Sequence, residues 1–261
     1  MNAPLHITSR DNPLLKKLRL MVRDSTAYRK HGQVWLEGDH LCRALLARGK
    51  RPAVAIFAES SWPFSLFEID FLTVKAIVIP DALMKEISSL ETPCNMGFVL
   101  DWPGTQEIQR HAPTVVLDRV QDAGNVGSII RSAAAFGFTQ VVALKGTAAL
   151  WSSKVLRAGM GAHFAMHMVE GSSEADLQKL EVPLLVTSSH HGEWLHKAAL
   201  PWPCAWVMGH EGQGVSTSLM NQAQQQLRIA QPGGEESLNV AAAAAVCFYA
   251  NSLTAILILT F

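Results

Sequence analysis

LDRVQDAGNVGSIIRSAAAFGF, residues 117–138, sets two periodicities side by side with only a short polar turn between them. Thr114–Leu117 is an apolar run of strand length, and Ser128–Phe136 repeats with a helical period. A second apolar run, Gln140–Leu144, follows at once. Strand, helix and strand in so few residues are the unit of a parallel sheet. Further short apolar runs at Pro183–Thr187, Ala205–Met208 and Leu227–Ala230 are each bounded by turn residues. Several such runs imply an α/β domain whose mostly parallel sheet is covered on both faces.

Toward the N-terminus a smaller alternating unit is expected. Asn12-Pro13 reads as a helix start, Asn capping and Pro in the first position, with Leu14, Leu15, Leu18 and Met21/Val22 at helical spacing. Gln33–Leu36, Ala53–Phe57, Ala76–Ile79 and Met96–Leu100 read as strands, with a helix through Leu41, Leu45 and Leu46 and another over Ala82–Leu90 capped by Asp81. Trp102-Pro103-Gly104 opens a polar stretch to Pro113 that reads as a linker, so the expected domains are residues 1–104 and 113–261.

Composition narrows the function classes. Hydrophobic content of 49% and charged content of 17% exclude general disorder. Four scattered cysteines without a C-x-x-C pair argue against a disulfide framework and a zinc ribbon. No secretory leader is recognisable at the N-terminus, and a cytoplasmic location is expected. Net charge is zero, yet residues 1–52 carry 11 Lys/Arg against 4 Asp/Glu, and the remainder 11 against 18. A basic arm on an acidic body suits contact with nucleic acid, and a solvated basic helix face accounts for it as well. Val240–Phe261 has no charged residue, but Asn251, Ser252, Thr254 and Thr260 interrupt it and no Lys/Arg flanks it, which favours a helix buried in a core or subunit interface over a membrane span.

Three polar islands follow predicted strand ends, where open α/β sheets bind ligands. The first, Gln121–Gly127, offers helix-start amides suited to an oxyanion, with Arg131 further along an otherwise Ala/Ile helix. In the second, Gly209, Gly212 and Gly214 surround Glu211, a pattern that is not G-x-G-x-x-G and gives little support to a Rossmann-type nucleotide enzyme. In the third, Pro232-Gly233-Gly234 leads to Ser237 and Asn239 at the mouth of the C-terminal helix; one cap would suffice there, so two polar residues look like a lined loop. His163-x-x-x-His167 lies in a run that reads as strand, and His190-His191 lack a matching carboxylate, so no metal is expected.

Asn125-x-Gly127-x-x-x-Arg131, Gly209-x-Glu211-Gly212-x-Gly214 and Ser237-Leu238-Asn239-Val240, in this order, resemble the three signature motifs of the SpoU (TrmH-like) family of RNA ribose 2′-O-methyltransferases in the SPOUT superfamily. The likeness covers about residues 113–250; Ser152–Phe164 is similar to the family's link between its first two motifs, and the N-terminal part looks like its ribosomal-protein-like (L30e-like) substrate-binding domain. The resemblance implies a trefoil knot in the catalytic domain and S-adenosyl-L-methionine as cofactor. It implies catalytic roles for Asn125, Arg131, Glu211, Ser237 and Asn239, and cofactor contacts from Thr187, Gly209, Ile229, Leu238 and Asn239. It also implies a homodimer through helices that include the last one, and an RNA substrate; the basic helical arm and the appended domain favour 23S ribosomal RNA over tRNA. His210, Ala241, Ala230-Gln231-Pro232 and the uncharged end depart from the family pattern, the first bearing on cofactor or RNA contacts. The competing reading is a non-catalytic RNA-binding protein on the same scaffold.

Overall fold

Asn12 opens the first helix as its sequence requires: its side chain accepts the Leu14 N–H at 2.9 Å, with Pro13 in the first helical position. The computed structural model describes residues 3–62, 74–188, 191–233 and 238–259. Ser237, Gly234, His190 and Thr260 lie outside the described residues. The chain forms two units, one of Met1–Gly104 with Trp151–Phe164, the other of Thr105–Leu150 with Ala165–Phe261.

The first unit runs β1 (Leu5–His6), α1 (Pro13–Arg23), α2 (Ala27–His31), β2 (Gln33–Glu37), α3 (Asp39–Ala47), β3 (Val54–Ala58), β4 (Lys75–Ile79), α4 (Asp81–Glu86) and β5 (Met96–Asp101). Its sheet order is β1-β4-β3-β5-β2, with β5 antiparallel to both β3 and β2. Length explains the reversal. Helix α4 has six residues, about 9 Å, and does not carry the chain back along a five-residue strand of about 17 Å. The chain therefore re-enters the sheet from the edge where β4 ended. Asp81 is the first residue of α4 rather than its cap, and its carboxylate accepts from Ser60 Oγ at 2.7 Å; the helix also stops before the expected Leu90. Leu15, Leu18, Trp35, Ile56 and Ile77 lie in the core of this unit.

The second unit begins with β6 (Thr114–Asp118), α5 (Ala123–Ala135) and β7 (Gln140–Leu144). The chain then gives α6 (Ser153–Gly159) to the first unit, where it packs on β2. It returns as β8 (His167–Ser172), β9 (Leu184–Thr187), β10 (Glu193–Trp194), β11 (Ala205–Gly209), α7 (Thr217–Gln222), β12 (Gln225–Arg228) and α8 (Val240–Leu259). The order is β10-β12-β9-β11-β6-β7-β8, and every pairing in it is parallel. Helix α5 starts at Ala123, five residues before the expected Ser128, because Asp122 caps it through the Asn125 N–H at 2.7 Å and the two glycines stay inside the helix. Strand β12 begins at the polar Gln225, earlier than the expected Leu227, since the neighbouring β9 supplies pairing that hydropathy does not report. His163 sits in a single tight turn and His167 opens β8, so the pair shares no helical face.

Helix α8 is held on the sheet by Ala244, Cys247, Phe248 and Asn251, all buried at helical spacing. The Phe248 ring lies 4.8 Å from that of Phe138. Asn251 Oδ1 accepts from Trp206 Nε1 at 2.8 Å and from Cys204 Sγ at 3.0 Å, and its Nδ2 donates to the Pro201 carbonyl at 3.0 Å. The amide that interrupts the apolar tail is thus a satisfied polar junction inside the core. Among the described residues no helix is long and apolar enough to cross a membrane.

Asn251→Leu leaves the buried Trp206 N–H and Pro201 carbonyl unmatched. The expected loss is about 1–3 kcal/mol, read as a lower urea midpoint; an unchanged midpoint would show that the junction contributes nothing.

Candidate active site

Strands β6 and β11 end together, Asp118 opposite Gly209, and β9 and β12 end beside them, Thr187 opposite Leu227. Parallel pairing brings all their following loops to one edge, which is the geometric reason distant polar islands meet. Asn125 lies in the first turn of α5, Glu211 in the loop after β11, and Asn239 at the head of α8.

These three side chains touch. Glu211 Oε1 accepts from Asn125 Nδ2 at 3.1 Å and from the Asp122 N–H at 3.0 Å, while Oε2 accepts from the Gln121 N–H at 3.2 Å. Asn239 Nδ2 donates to Asn125 Oδ1 at 3.0 Å. Asn239 Oδ1 accepts from the N–H groups of Ala241 at 2.9 Å and Ala242 at 3.3 Å, capping α8. Chemistry fixes both amide orientations. An ionised carboxylate only accepts, so Asn125 must show it the NH2 group, and its oxygen then faces Asn239. Asn239 in turn spends its oxygen on the helix and its NH2 on Asn125. One carboxylate and two amides therefore tie all three islands into one junction.

A second junction was not foreseen from sequence. Asp118, 1% exposed, binds Arg119 through Nε at 2.8 Å and Nη2 at 3.1 Å, and its Oδ2 accepts the Ser216 N–H at 2.7 Å. Arg119 Nη1 reaches Gln213 Oε1 at 3.1 Å. Arg119 holds φ of 59°, a region that side-chain-bearing residues rarely enter. His210 completes the loop: its Nδ1 accepts from the N–H groups of Gly212 at 3.0 Å and Gln213 at 3.2 Å. The departure at 210 thus shapes the turn that carries Glu211. A Cβ on Gly209 would collide with the Gly214 and Val215 backbone, so that glycine admits the returning loop. A charged residue ending an apolar strand, as Asp118 does, and an Asp just before a helix, as Asp122 is, are the local signals for these residues.

The remaining candidates lie around the junction. Arg131 is six residues beyond Asn125, about 9 Å along the α5 axis, exposed, and without a hydrogen bond or ion pair among the described residues. Glu211 therefore holds loop amides rather than Arg131. Thr187 and Gly209 end β9 and β11, Ile229 follows the last residue of β12, and Leu238 is an exposed apolar side chain (42%) just before α8. Among the described residues no group of three or more His, Cys, Asp or Glu side chains could hold a metal. Burial pushes the Glu211 carboxyl up, but hydrogen bonds from Asn125, Asp122 and Gln121 outweigh it and hold the group below its usual range.

A family model described as the SpoU rRNA Methylase family matches residues 112–249. The 23S rRNA (guanosine(2553)-2′-O)-methyltransferase RlmP of Bacillus subtilis is 28% identical over 218 residues, covering 82% of this chain and 86% of its own. A TrmH-family protein of Porphyromonas gingivalis superposes with a TM-score of 0.80 at 28% identity, covering 92% of this chain and 97% of that one. An rRNA methyltransferase of Sinorhizobium meliloti, solved with AdoMet bound, shares the fold at a TM-score of 0.82 and 22% identity, over 95% of this chain and 97% of its own.

Glu211→Gln sets an NH2 group against a backbone N–H and lowers stability at neutral pH. Because the folded carboxyl titrates below the usual value of 4.5, its contribution is complete above that value and is lost as pH falls through the lower folded one. Urea denaturation of the two proteins is expected to show a gap that is constant near neutrality and closes in acid. A gap that widens in acid contradicts the assignment.

Proposed function

The chain belongs to the SpoU rRNA methylase family, and we propose that it transfers a methyl group from S-adenosylmethionine to a ribose 2′-hydroxyl of structured RNA, 23S ribosomal RNA foremost. The observation that carries this reading is the contact of Asn125, Glu211 and Asn239, one residue from each motif, at a single edge of a parallel sheet.

The donor, when bound, supplies a methyl group activated by a positively charged sulfur. The strand ends at Thr187 and Gly209 and Ile229 just past β12, with the exposed Leu238, offer main-chain groups and an apolar surface on which a nucleoside fits. Asn239 lines the transfer site, and Ser237 is assigned to the same step by its motif alone. Asn125 keeps one N–H and one lone pair beyond its bonds to Glu211 and Asn239, enough to orient a ribose. Glu211 fixes Asn125 and the loop amides of Gln121 and Asp122. A guanidinium does not act as a base in neutral water, so Arg131 does not take the proton. It clamps a substrate phosphate and stabilises charge developing on the attacking oxygen, and the proton leaves to that phosphate or to water.

The same reading extends to the rest of the chain. Residues 1–104 form the ribosomal-protein-like RNA-binding domain and 113–261 the catalytic one, apart from Trp151–Phe164, which joins the first unit. A trefoil knot is supported by the chain path: β12 lies beyond β9 from β11, and the segment after it comes back to set Asn239 against Asn125. A homodimer through α8 is supported by an outward apolar stripe of Val246, Tyr249 and Leu253. The free, mostly buried cysteines suit the cytoplasm.

Labelled S-adenosylmethionine with 23S rRNA and tRNA transcripts, followed by nucleotide mapping, tests the reading. Methylation of a ribose in 23S rRNA is the expected result. Absence of cofactor binding by calorimetry favours a non-catalytic RNA-binding protein. Arg131→Ala is expected to abolish turnover with cofactor affinity within a few-fold; turnover like that of the wild type removes Arg131 from the mechanism.

A further inference from the structure

The positive excess of the N-terminal unit is sorted by the fold onto one edge of its sheet. At the edge where β3 and β4 end, four cations are matched by carboxylates, Lys85 being an exposed exception among the described residues. Arg10 and Arg19 both bind Glu86, at 2.9 and 2.7 Å, Lys16 binds Asp11 at 2.9 Å, and Arg43 binds Asp39 at 2.8 Å. The opposite edge differs. It is defined by the start of β3, where Val54 pairs with Lys75 and with Val99, and by the start of β2, where Gln33 pairs with Asp101. Helices α1 and α3, of 11 and 9 residues, return from one edge to the other over about 16 and 14 Å, the span of a five-residue strand.

Arg23, Lys30, Arg48, Lys50 and Lys75 therefore gather where the strands begin, and all five are exposed. Among the described acidic residues of this unit, Asp24 and Asp101 are the ones found at that edge. Asp24 accepts from Thr26, and Asp101 accepts from Gln33. Compensation of helix dipoles explains Arg23 and Lys30, which sit in last helical turns. It does not explain Lys50 and Lys75, which lie outside any helix. Like charges so placed repel one another unless a polyanion lies across them.

We propose that this strand-start edge of the first unit holds the phosphate backbone of the RNA substrate, an inference that rests on the chain acting on RNA. The contact is electrostatic and blind to sequence, so it positions the RNA rather than selecting the nucleotide. Its signature is salt dependence, each phosphate contact contributing about 0.7–0.9 to the slope of log affinity against log salt.

The test uses the full chain with a 23S rRNA transcript. A quadruple variant, Arg23→Gln, Arg48→Gln, Lys50→Gln and Lys75→Gln, is compared with Lys16→Gln/Lys85→Gln at the strand-end side. The quadruple variant is expected to bind RNA at least about tenfold more weakly at 0.1 M salt and to lose about three units of slope. Calorimetric affinity for S-adenosylmethionine, and the rate at saturating RNA where turnover occurs, stay as in the wild type. Single Lys50→Gln and Lys75→Gln variants, each losing about one unit, guard against a folding defect in the combined protein. Unchanged RNA affinity and slope, or an equal loss in the control pair, overturns the proposal. A wild-type protein that binds the transcript without methylating it refutes the catalytic reading and leaves the binding comparison decisive for this edge.

Discussion

Glu211 is the charged member of a group that otherwise consists of amides, and its demand for donors positions everything near it. A carboxylate at the end of a parallel sheet needs N–H groups on both oxygens. It finds two in the backbone before α5 and a third in Asn125. That charge draws the loop after β11 toward the start of α5. The bonds made by Asn125 leave it one orientation, and that orientation leaves Asn239 one. The site is rigid because each amide is already committed before any substrate arrives.

Rigidity at the mouth depends on support behind it. The loop carrying Glu211 is pinned a second time by Asp118, whose buried carboxylate binds Arg119 and the Ser216 amide, and by His210, which accepts two loop N–H groups. Helix α8 is fixed at both ends of its contact with the sheet, by Asn239 at the head and by Asn251 against Trp206 further along. The alanines between them keep the helix thin enough to lie close, and the two asparagines set where it lies. Capping alone would have needed one of these amides, and anchoring explains the other.

The two units distribute polar groups differently. In the second unit, the carboxylates of Asp118 and Glu211 are each answered by specific partners. In the first unit, cations are numerous, and the fold pairs four at one edge with acids while leaving those at the other edge beside few described acids. The first arrangement positions atoms, and the second creates a field. An enzyme acting on a polyanion needs both, since the field is long-ranged and the positioning is not.

Much of this was legible in the chain. Asn12-Pro13 started α1 where the cap rule placed it, apolar runs located β3, β6, β7, β9 and β11, and the three islands stood after strand ends. Local rules sufficed there because caps and periodicity act over a few residues. They misjudged the starts of α5 and β12, where a side-chain cap and a neighbouring strand override hydropathy. No local rule could show that Glu211 would choose the amides before α5 over Arg131, or that scattered lysines and arginines would share an edge. The Glu211–Asn125 and Asn239–Asn125 bonds join residues 86 and 114 positions apart. The sequence by itself determined which residues could serve and on which kind of element. Only the parallel order of the strands, which brings distant loops to one edge, decided which of them meet.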